Sequence, residues 1–287
     1  MKFSKLNSPY LYAVSAFVFS ALMGACVKSL GGAVPLSLIL TARFWVGLGM
    51  VYPLARRERG YYYALRTKKI KMHLLRAVSG MATVGLFFMA LPRLPLGDAN
   101  ALGQIYPFFL LALSGPLLGE VIKPKQYLAC ILGFAGVVLI AQPHGTSGLI
   151  PALMVVASSL TAAVTDLLVR GLARPEKSLT TVLWFFLLAG TISFIWWFVA
   201  DRHVQITYTQ ALLLVLVGLT GGLTQFALTE SFKHLPAGIM GAFSYLGLFF
   251  SALFGFIFFH EVPSLWMLSG IALIVTGARW SYILHRK

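Results

Sequence analysis

The feature that most constrains this chain is a weak internal repeat. Residues 80–136 align without a gap on residues 221–277, and twelve of the 57 aligned columns are identical. The shared anchors are Leu-Pro-x-Gly before one apolar run and Glu-Val after it. A repeat of this kind in a hydrophobic chain is typical of secondary transporters, which hold their substrate between the two repeats. Transport is therefore the first hypothesis.

The composition places the chain in a membrane. Hydrophobic residues make up 59% of it and charged residues only 11%, whereas soluble domains carry about 25% charged residues. The net charge of +15 suggests a nucleic-acid partner only if the positive residues cluster, and they lie mostly in alternate loops. Cys26 and Cys130 sit inside apolar runs, which indicates packing rather than a disulfide framework or a metal site.

Ten apolar runs are long enough to cross a bilayer core of about 30 Å. They lie at residues 9–30, 34–54, 74–92, 97–118, 125–142, 148–171, 179–199, 209–232, 237–259 and 263–283. The first run is longer than the apolar part of a signal peptide, so we expect it to remain as a span. The fold class predicted is an all-α integral membrane protein with ten transmembrane helices.

Lysine and arginine are distributed unevenly over the loops. With the N-terminus inside, cytoplasmic segments hold nineteen of the 23 basic residues, and the opposite loops hold only Arg93 and Arg202. Because positive charge accumulates in short cytoplasmic loops, both termini are expected in the cytoplasm. The basic segment 56–76 then becomes a topology signal that also contacts anionic lipid, and no nucleic-acid partner is expected.

An odd number of spans in each half inverts the second half relative to the first. We expect residues 1–145 and 146–287 to form two inverted five-helix repeats. Glu120 then lies at the cytoplasmic face and the equivalent Glu261 at the opposite face. Such halves expose one central site to either side of the membrane by related rocking motions.

The fourth run carries several binding candidates. Asn100 and Gln104 lie one turn apart on one helical face, Tyr106 follows, and Pro107 is expected to bend the helix. In the repeat alignment Gln104 falls opposite Tyr245, and paired positions near a pseudo-symmetry axis are where a central site forms. Hydrogen bonding between helices is the alternative interpretation of these polar groups.

Two charged residues within runs have both functional and structural interpretations. Arg43 binds an anionic substrate group, or it pairs with Asp166 or Glu230. Asp166 binds a cationic group or a proton, or it pairs with Arg170 one helical turn later.

Three further positions complete the candidate list. Gln225 shares a helical face with Gly221 and Gly222 and is expected to point into the cavity. Glu120 and Glu261 each separate two apolar runs, where a carboxylate accepts hydrogen bonds from the first amides of the next helix. We expect a capping or gating role for both glutamates, with proton coupling as the alternative.

Motifs for chemistry are absent from the sequence. His260-Glu261 is followed by Val-Pro-Ser-Leu and so does not complete a His-Glu-x-x-His zinc motif. No Ser/His/Asp grouping and no ATP-binding motif occurs either. The expectation is a transporter rather than an enzyme, with no cofactor and no metal, driven by a proton or by a counter-substrate.

Short motifs along the chain resemble those of EamA-type transporters in the drug/metabolite transporter superfamily. They are Arg43-Phe44, Leu75-Arg76, Leu94-Pro95-Leu96-Gly97-Asp98-Ala99, Gly119-Glu120, Gly133-Phe134-Ala135-Gly136-Val137-Val138-Leu139-Ile140, Leu235-Pro236-Ala237-Gly238 and His260-Glu261. The resemblance covers nearly the whole chain. It implies a ten-helix basket around a cavity lined mainly by spans one, three, four, six, eight and nine.

The resemblance also implies what is carried. Members of the superfamily move amino acids, S-adenosylmethionine, other metabolites or drugs, often as exporters or exchangers. Arg43, Asp166 and the basic end of span six are similar to those of its S-adenosylmethionine carriers. We expect a small polar metabolite to cross the cytoplasmic membrane by alternating access.

Several alternatives stay open at this stage. They are multidrug export by the same fold, a membrane-embedded lipid-modifying enzyme and a non-transporting scaffold. The expected partners are the lipid bilayer, a small-molecule substrate and a proton or counter-substrate. The oligomeric state is open between a monomer and a homodimer.

Overall fold

The computed structural model describes most of the chain. The described residues are 9–59, 65–106, 108–109, 112–113, 131–132, 134–136, 138–139, 148–173, 178–234 and 237–286. Within these, side chains are described except at 54–59, 169–173, 178–179, 229–230, 232–234, 237–245 and 277–286.

All regular secondary structure in the described residues is helical. The α-helices are α1 (Pro9–Ser29), α2 (Leu36–Arg59), α3 (Ile70–Ala90), α4 (Leu96–Gly103), α5 (Leu149–Ala173), α6 (Ser178–Trp196), α7 (Tyr208–His234), α8 (Ala237–Phe259) and α9 (Leu265–Arg286). A 3₁₀ turn, Leu91–Arg93, follows α3, and a π-helical turn, Trp197–Asp201, extends α6. Helices suit lipid because they satisfy every backbone hydrogen bond internally.

Six of the described helices are long and apolar enough to cross a membrane, namely α1, α2, α3, α5, α6 and α7. Shorter apolar helical stretches lie in α8 and α9, at Leu246–Phe259 and Leu265–Thr276. The chain is therefore a multi-pass membrane protein with six clear spans. The predicted count of ten spans remains a prediction.

Eight of the described helices pack as a closed ring. Its order is α1, α8, α4, α5, α3, α6, α2, α7 and back to α1. The ring alternates strictly between helices that precede residue 145 and helices that follow it. Among the described residues, the most extensive helix contacts therefore join the two halves of the chain, and contacts within one half are smaller.

The order of the ring follows the internal repeat. An offset of 141 residues places α1 on α5, α2 on α6, α3 on α7 and α4 on α8. When the two helices of each pair exchange places, any two helices that are adjacent in the ring are replaced by two that are also adjacent. Outside the ring, α9 packs on α4, and a Cβ added to Gly136 lies only 2.5 Å from the Gly270 carbonyl oxygen of α9.

Small residues allow the ring helices to approach closely, as is usual for helices packed in lipid. A Cβ added to Gly218 of α7 lies 2.3 Å from Val46 Cβ of α2. Aromatic rings fill the contact between α2 and α6, where the Phe44 and Phe185 centroids are 5.4 Å apart, edge to face. Beside it, Ser37 at the start of α2 donates a hydrogen bond to Asp201 at the end of the α6 extension.

Candidate functional site

The contact between α3 and α5 is lined by hydroxyl groups. The Thr83 and Thr161 hydroxyls lie 3.0 Å apart, and the Thr165 hydroxyl lies 2.9 Å from that of Ser79. Ser158 Oγ donates to the Thr83 carbonyl at 2.6 Å. We call these five residues the hydroxyl ladder. Their spacing of three and four residues places each set on one helical face, and that spacing is the sequence signal that could have identified them.

Two predicted site residues meet at one end of the ladder. The Tyr106 hydroxyl donates a hydrogen bond to the Asp166 carboxylate, and both side chains are half-buried. Asp166 directly follows Thr165 of the ladder on α5. The contact joins the first half of the chain to the second.

Arg76 is a functional candidate that the sequence analysis missed. It was counted among the cytoplasmic charges, but in the structure it is only 6% exposed. Its Nη1 donates to the Thr181 carbonyl at 2.6 Å, and its Cζ lies 4.7 Å from the centroid of the Phe185 ring. The positive charge of Arg76 interacts with the negative charge of Asp166, and Arg76 Nε has no hydrogen-bond partner.

The start of the fourth predicted span is broken near its polar residues. Helix α4 ends at Gly103, and a turn at Gln104 and Ile105 precedes helical Tyr106. Proline at position 107 has no N–H to donate to the Gly103 carbonyl, and that carbonyl instead accepts a hydrogen bond from Ser159 at 3.3 Å.

Asn100 and Gln104 behave differently. Asn100 Nδ2 donates to the Leu96 carbonyl of its own helix at 3.0 Å. Gln104, at the C-terminal end of α4, is half-buried. Asn100 is therefore engaged with its own backbone, whereas Gln104 lies next to the break in the helix.

The remaining site predictions are only partly covered by the described residues. Gln225 is half-buried on α7. The backbone of Tyr245 belongs to α8, but its side chain lies outside the described residues, and so do Pro107 and Glu120. The expected pairing of Gln104 with Tyr245 therefore stays a prediction.

Arg43 does not pair with Asp166. It is 5% exposed in the middle of α2, and its Nη1 contacts the Met23 sulfur. Its Cζ lies 5.7 Å from the Phe44 ring centroid and 5.8 Å from that of Phe88. The side chain of Glu230, the other partner considered, lies outside the described residues.

Glu261 caps a different helix from the one expected. Its carboxylate accepts a hydrogen bond from the Leu96 N–H at 2.7 Å, at the start of α4, and forms an ion pair with Lys28 at the end of α1. Lys28 also donates to the Leu94 carbonyl. The helix that follows Glu261, α9, is capped by Ser264, whose Oγ accepts from the Met267 N–H at 3.0 Å. Glu261 therefore joins the two halves of the chain.

Comparison with known families decides the class of this protein. The model of the EamA-like transporter family matches residues 7–142 and again residues 149–283. The chain belongs to the EamA-like transporter family. It is accordingly a transporter and not an enzyme. Among the described residues no three histidine, cysteine or acidic side chains come together as metal ligands.

Similar proteins are named for several cargoes. The chain is 30% identical over 274 residues to the pseudopaline exporter CntI of Pseudomonas aeruginosa, covering 95% of each chain. It is 29% identical to a riboflavin transporter of Rhizobium johnstonii, covering 83% of this chain and 79% of that one. It is 24% identical to an S-adenosylmethionine uptake transporter of Rickettsia bellii, covering 78% and 76%.

A solved crystal structure shares the fold of this EamA-like transporter. It superimposes with a TM-score of 0.68 over 97% of both chains, at 24% sequence identity. The relatives together establish a transporter of small metabolites in the drug/metabolite transporter superfamily.

Proposed function

We propose that this EamA-like transporter carries small polar metabolites, namely amino acids or their derivatives, which include S-adenosylmethionine. The cargo crosses the cytoplasmic membrane by alternating access, as an exporter or in exchange for a counter-substrate. The observation that carries this proposal is the contact between Tyr106 and Asp166 next to Arg76 and the hydroxyl ladder. The contact lies between the two halves of the chain.

Charge and hydroxyl groups within a membrane protein support a binding role. Ionisable residues at membrane depth are expensive, and they mark substrate and ion pathways by default. Asp166 offers a negative charge to an ammonium or sulfonium group, while the ladder hydroxyls donate and accept hydrogen bonds. A cargo cation that reaches Asp166 displaces the Tyr106 hydroxyl and leaves it available to the cargo as well.

The order of the helix ring supports alternating access. The ring is unchanged when the two halves are exchanged, as expected of two inverted repeats at residues 1–145 and 146–287. The ion pair between Lys28 and Glu261 joins the halves at one end of the bundle, which the distribution of basic loops assigns to the outer face. Rocking one half against the other opens that end when this pair separates.

The relatives support a metabolite and leave its identity open. Their names give pseudopaline, riboflavin and S-adenosylmethionine as cargoes, so the family does not fix one compound. The Asp166 carboxylate and the Arg76 guanidinium, which interact electrostatically, favour a cargo that carries charge over a neutral drug.

Counterflow in proteoliposomes tests the proposal. Vesicles are loaded with unlabelled amino acids, S-adenosylmethionine, nucleosides and quaternary amines, and the entry of each labelled compound is followed in turn. We expect an amino acid or S-adenosylmethionine to accumulate in protein-containing vesicles only. Accumulation of quaternary amines alone would favour multidrug export, and no accumulation from folded protein would favour an untested cargo or a scaffold.

A pair of variants tests the site. Asp166→Asn keeps the side-chain shape and removes the charge, so we expect counterflow to fall while the protein stays folded. Asp201→Asn is the matched control, because Asp201 also accepts a hydrogen bond from a hydroxyl, that of Ser37, away from the proposed site. If Asp166→Asn gives the same counterflow rate as the control Asp201→Asn, a role for Asp166 is contradicted.

A further inference from the structure

Arg43 extends into the middle of the helix ring. Arg43 belongs to α2, whose neighbours in the ring are α6 and α7, but the guanidinium contacts Met23 of α1 and Phe88 of α3. Gly221 of α7 makes room for it, since a Cβ added there lies 2.7 Å from Arg43 Nη1. The guanidinium is thus surrounded by helices from several parts of the ring.

No acidic side chain among those described neutralises the positive charge of Arg43. Its Nε is buried without a hydrogen-bond partner, and none of the acidic side chains described in the structure forms an ion pair with it. The Met23 thioether is a weak acceptor. The centroids of the Phe44 and Phe88 rings lie 5.7 and 5.8 Å from Arg43 Cζ. These rings attract a cation, but they carry no negative charge that would neutralise it.

We propose that Arg43 is an anion subsite that binds the carboxylate of the cargo through its Nε edge. The inference rests on the proposed function, because it names one end of the cargo that this transporter carries. A guanidinium is planar and matches a carboxylate with two parallel hydrogen bonds. The aromatic walls exclude water, and charge-assisted hydrogen bonds are stronger in such surroundings.

The anion subsite is separate from the contact between Tyr106 and Asp166. Arg43 contacts Met23 of α1, Phe88 near the end of α3 and Gly221 of α7. Asp166 accepts from Tyr106, beyond the end of α4, and interacts electrostatically with Arg76 near the start of α3. The two sites share no residue and carry opposite charge. The anion subsite therefore concerns the carboxylate end of the cargo alone.

Matched pairs of probes test the subsite in the full-length protein in proteoliposomes. Each pair differs only at the carboxylate: L-methionine and L-methioninamide, L-phenylalanine and L-phenylalaninamide, and S-adenosylmethionine and its decarboxylated form. Binding is measured by thermal stabilisation and by inhibition of counterflow. For the native chain we expect at least one acid to bind about tenfold or more tighter than its partner.

Variants of Arg43 connect that preference to one side chain. Arg43→Met is expected to bring the acid and its partner within about twofold of each other, and Arg43→Lys to keep part of the preference. Arg202→Met is the control, because Arg202 also lies over a ring, 5.5 Å from the Phe198 centroid, but is exposed. It should keep the native preference in full.

The outcomes separate this inference from the proposed function. An undiminished preference for the acid in Arg43→Met overturns the subsite and leaves the carrier in place. Where Arg43→Met fails to fold, Gly221→Ala displaces the guanidinium instead, and an undiminished preference in that variant overturns the subsite equally. If no member of any pair binds the folded native chain, the proposed cargo class is rejected and the subsite with it.

Discussion

The contact between α3 and α5 and the contact between α7 and α1 occupy positions that the repeat makes equivalent, yet they are built differently. The first contains the hydroxyl ladder and Asp166. At the second, Ala25 stands in the position equivalent to Asp166 and is buried, and the Thr224 hydroxyl, equivalent to that of Thr83, is buried without a partner. A duplicated scaffold has thus kept two similar helix contacts, one lined by hydroxyl groups and a carboxylate, the other receiving the Arg43 guanidinium beside Met23 and Gly221.

The largest effect is expected where the two contacts differ most, at Asp166. Asp166→Ala removes the acceptor of the Tyr106 hydroxyl and the negative charge beside Arg76, so counterflow should fall about 10- to 100-fold. Ala25→Ser, at the equivalent position, should change it less than about twofold. The rates are measured in proteoliposomes with equal amounts of folded protein. Similar losses from both substitutions would show that the two contacts contribute alike.

Equivalent glycines provide the second test. A Cβ at Gly80 lies 2.6 Å from Cε2 of the buried Phe185 ring, whereas a Cβ at Gly221 meets the end of the Arg43 side chain at 2.7 Å. We expect Gly80→Ala to destabilise the protein by about 1–3 kcal/mol, because a packed ring has little room to move. Gly221→Ala should cost less, since a guanidinium on a long side chain shifts more easily. Thermal unfolding in detergent compares the two variants. A greater loss of stability in Gly221→Ala than in Gly80→Ala would contradict this prediction.

Gln104 and Tyr245, which the repeat aligns, test whether the site extends beyond the hydroxyl ladder. If both contact the cargo, Gln104→Ala and Tyr245→Ala should each raise the KM about fivefold, the loss of one hydrogen bond of about 1 kcal/mol. Concentration-dependent counterflow measures this. Unchanged kinetics in both variants would remove them from the site and confine it to the α3–α5 contact.

The smallest expected effect separates the two threonines. Thr83→Val breaks the hydrogen bond to Thr161 and should destabilise the protein by about 0.6 kcal/mol, a typical value for helices in membranes. Thr224→Val removes a hydroxyl that has no partner and should be neutral or stabilising. Thermal unfolding of both variants, with Thr191→Val as an exposed hydroxyl control, checks the difference in sign. A destabilised Thr224→Val would show that this hydroxyl is used.

The sequence predicted the long helices because apolar runs are local patterns, and it predicted the family because short motifs along the chain resemble those of its members. Arg76 was misjudged because it lies near the start of a span, where a positive charge is usually a topology signal. The hydroxyl ladder was missed because Ser and Thr in helices also bond to their own backbone, as Thr83 does to the Ser79 carbonyl at 2.9 Å. Such a side chain gives no sign in the sequence of which neighbour it faces.

Glu261 is a second case in which the sequence does not identify the partner of a side chain. A capping carboxylate was expected, and the structure has one, but the amide it accepts from belongs to Leu96, far away in the sequence. Sequence reasoning assigns a cap to the nearest helix along the chain. In a ring that alternates between halves, the nearest helix in space comes from the other half.

The alternation of the ring has a consequence for how this protein is made. Helices α1 to α4 leave the ribosome first, but their main packing partners, α5 to α8, are synthesised only later. The early helices must therefore wait in the bilayer as separately inserted segments, as the two-stage view of membrane folding describes. Arg43 enters the membrane on α2 long before Gly221 exists to accommodate it. A chain truncated after residue 145 should insert and yet stay open to proteases and quality control, because its described helices have their main packing partners in the second half.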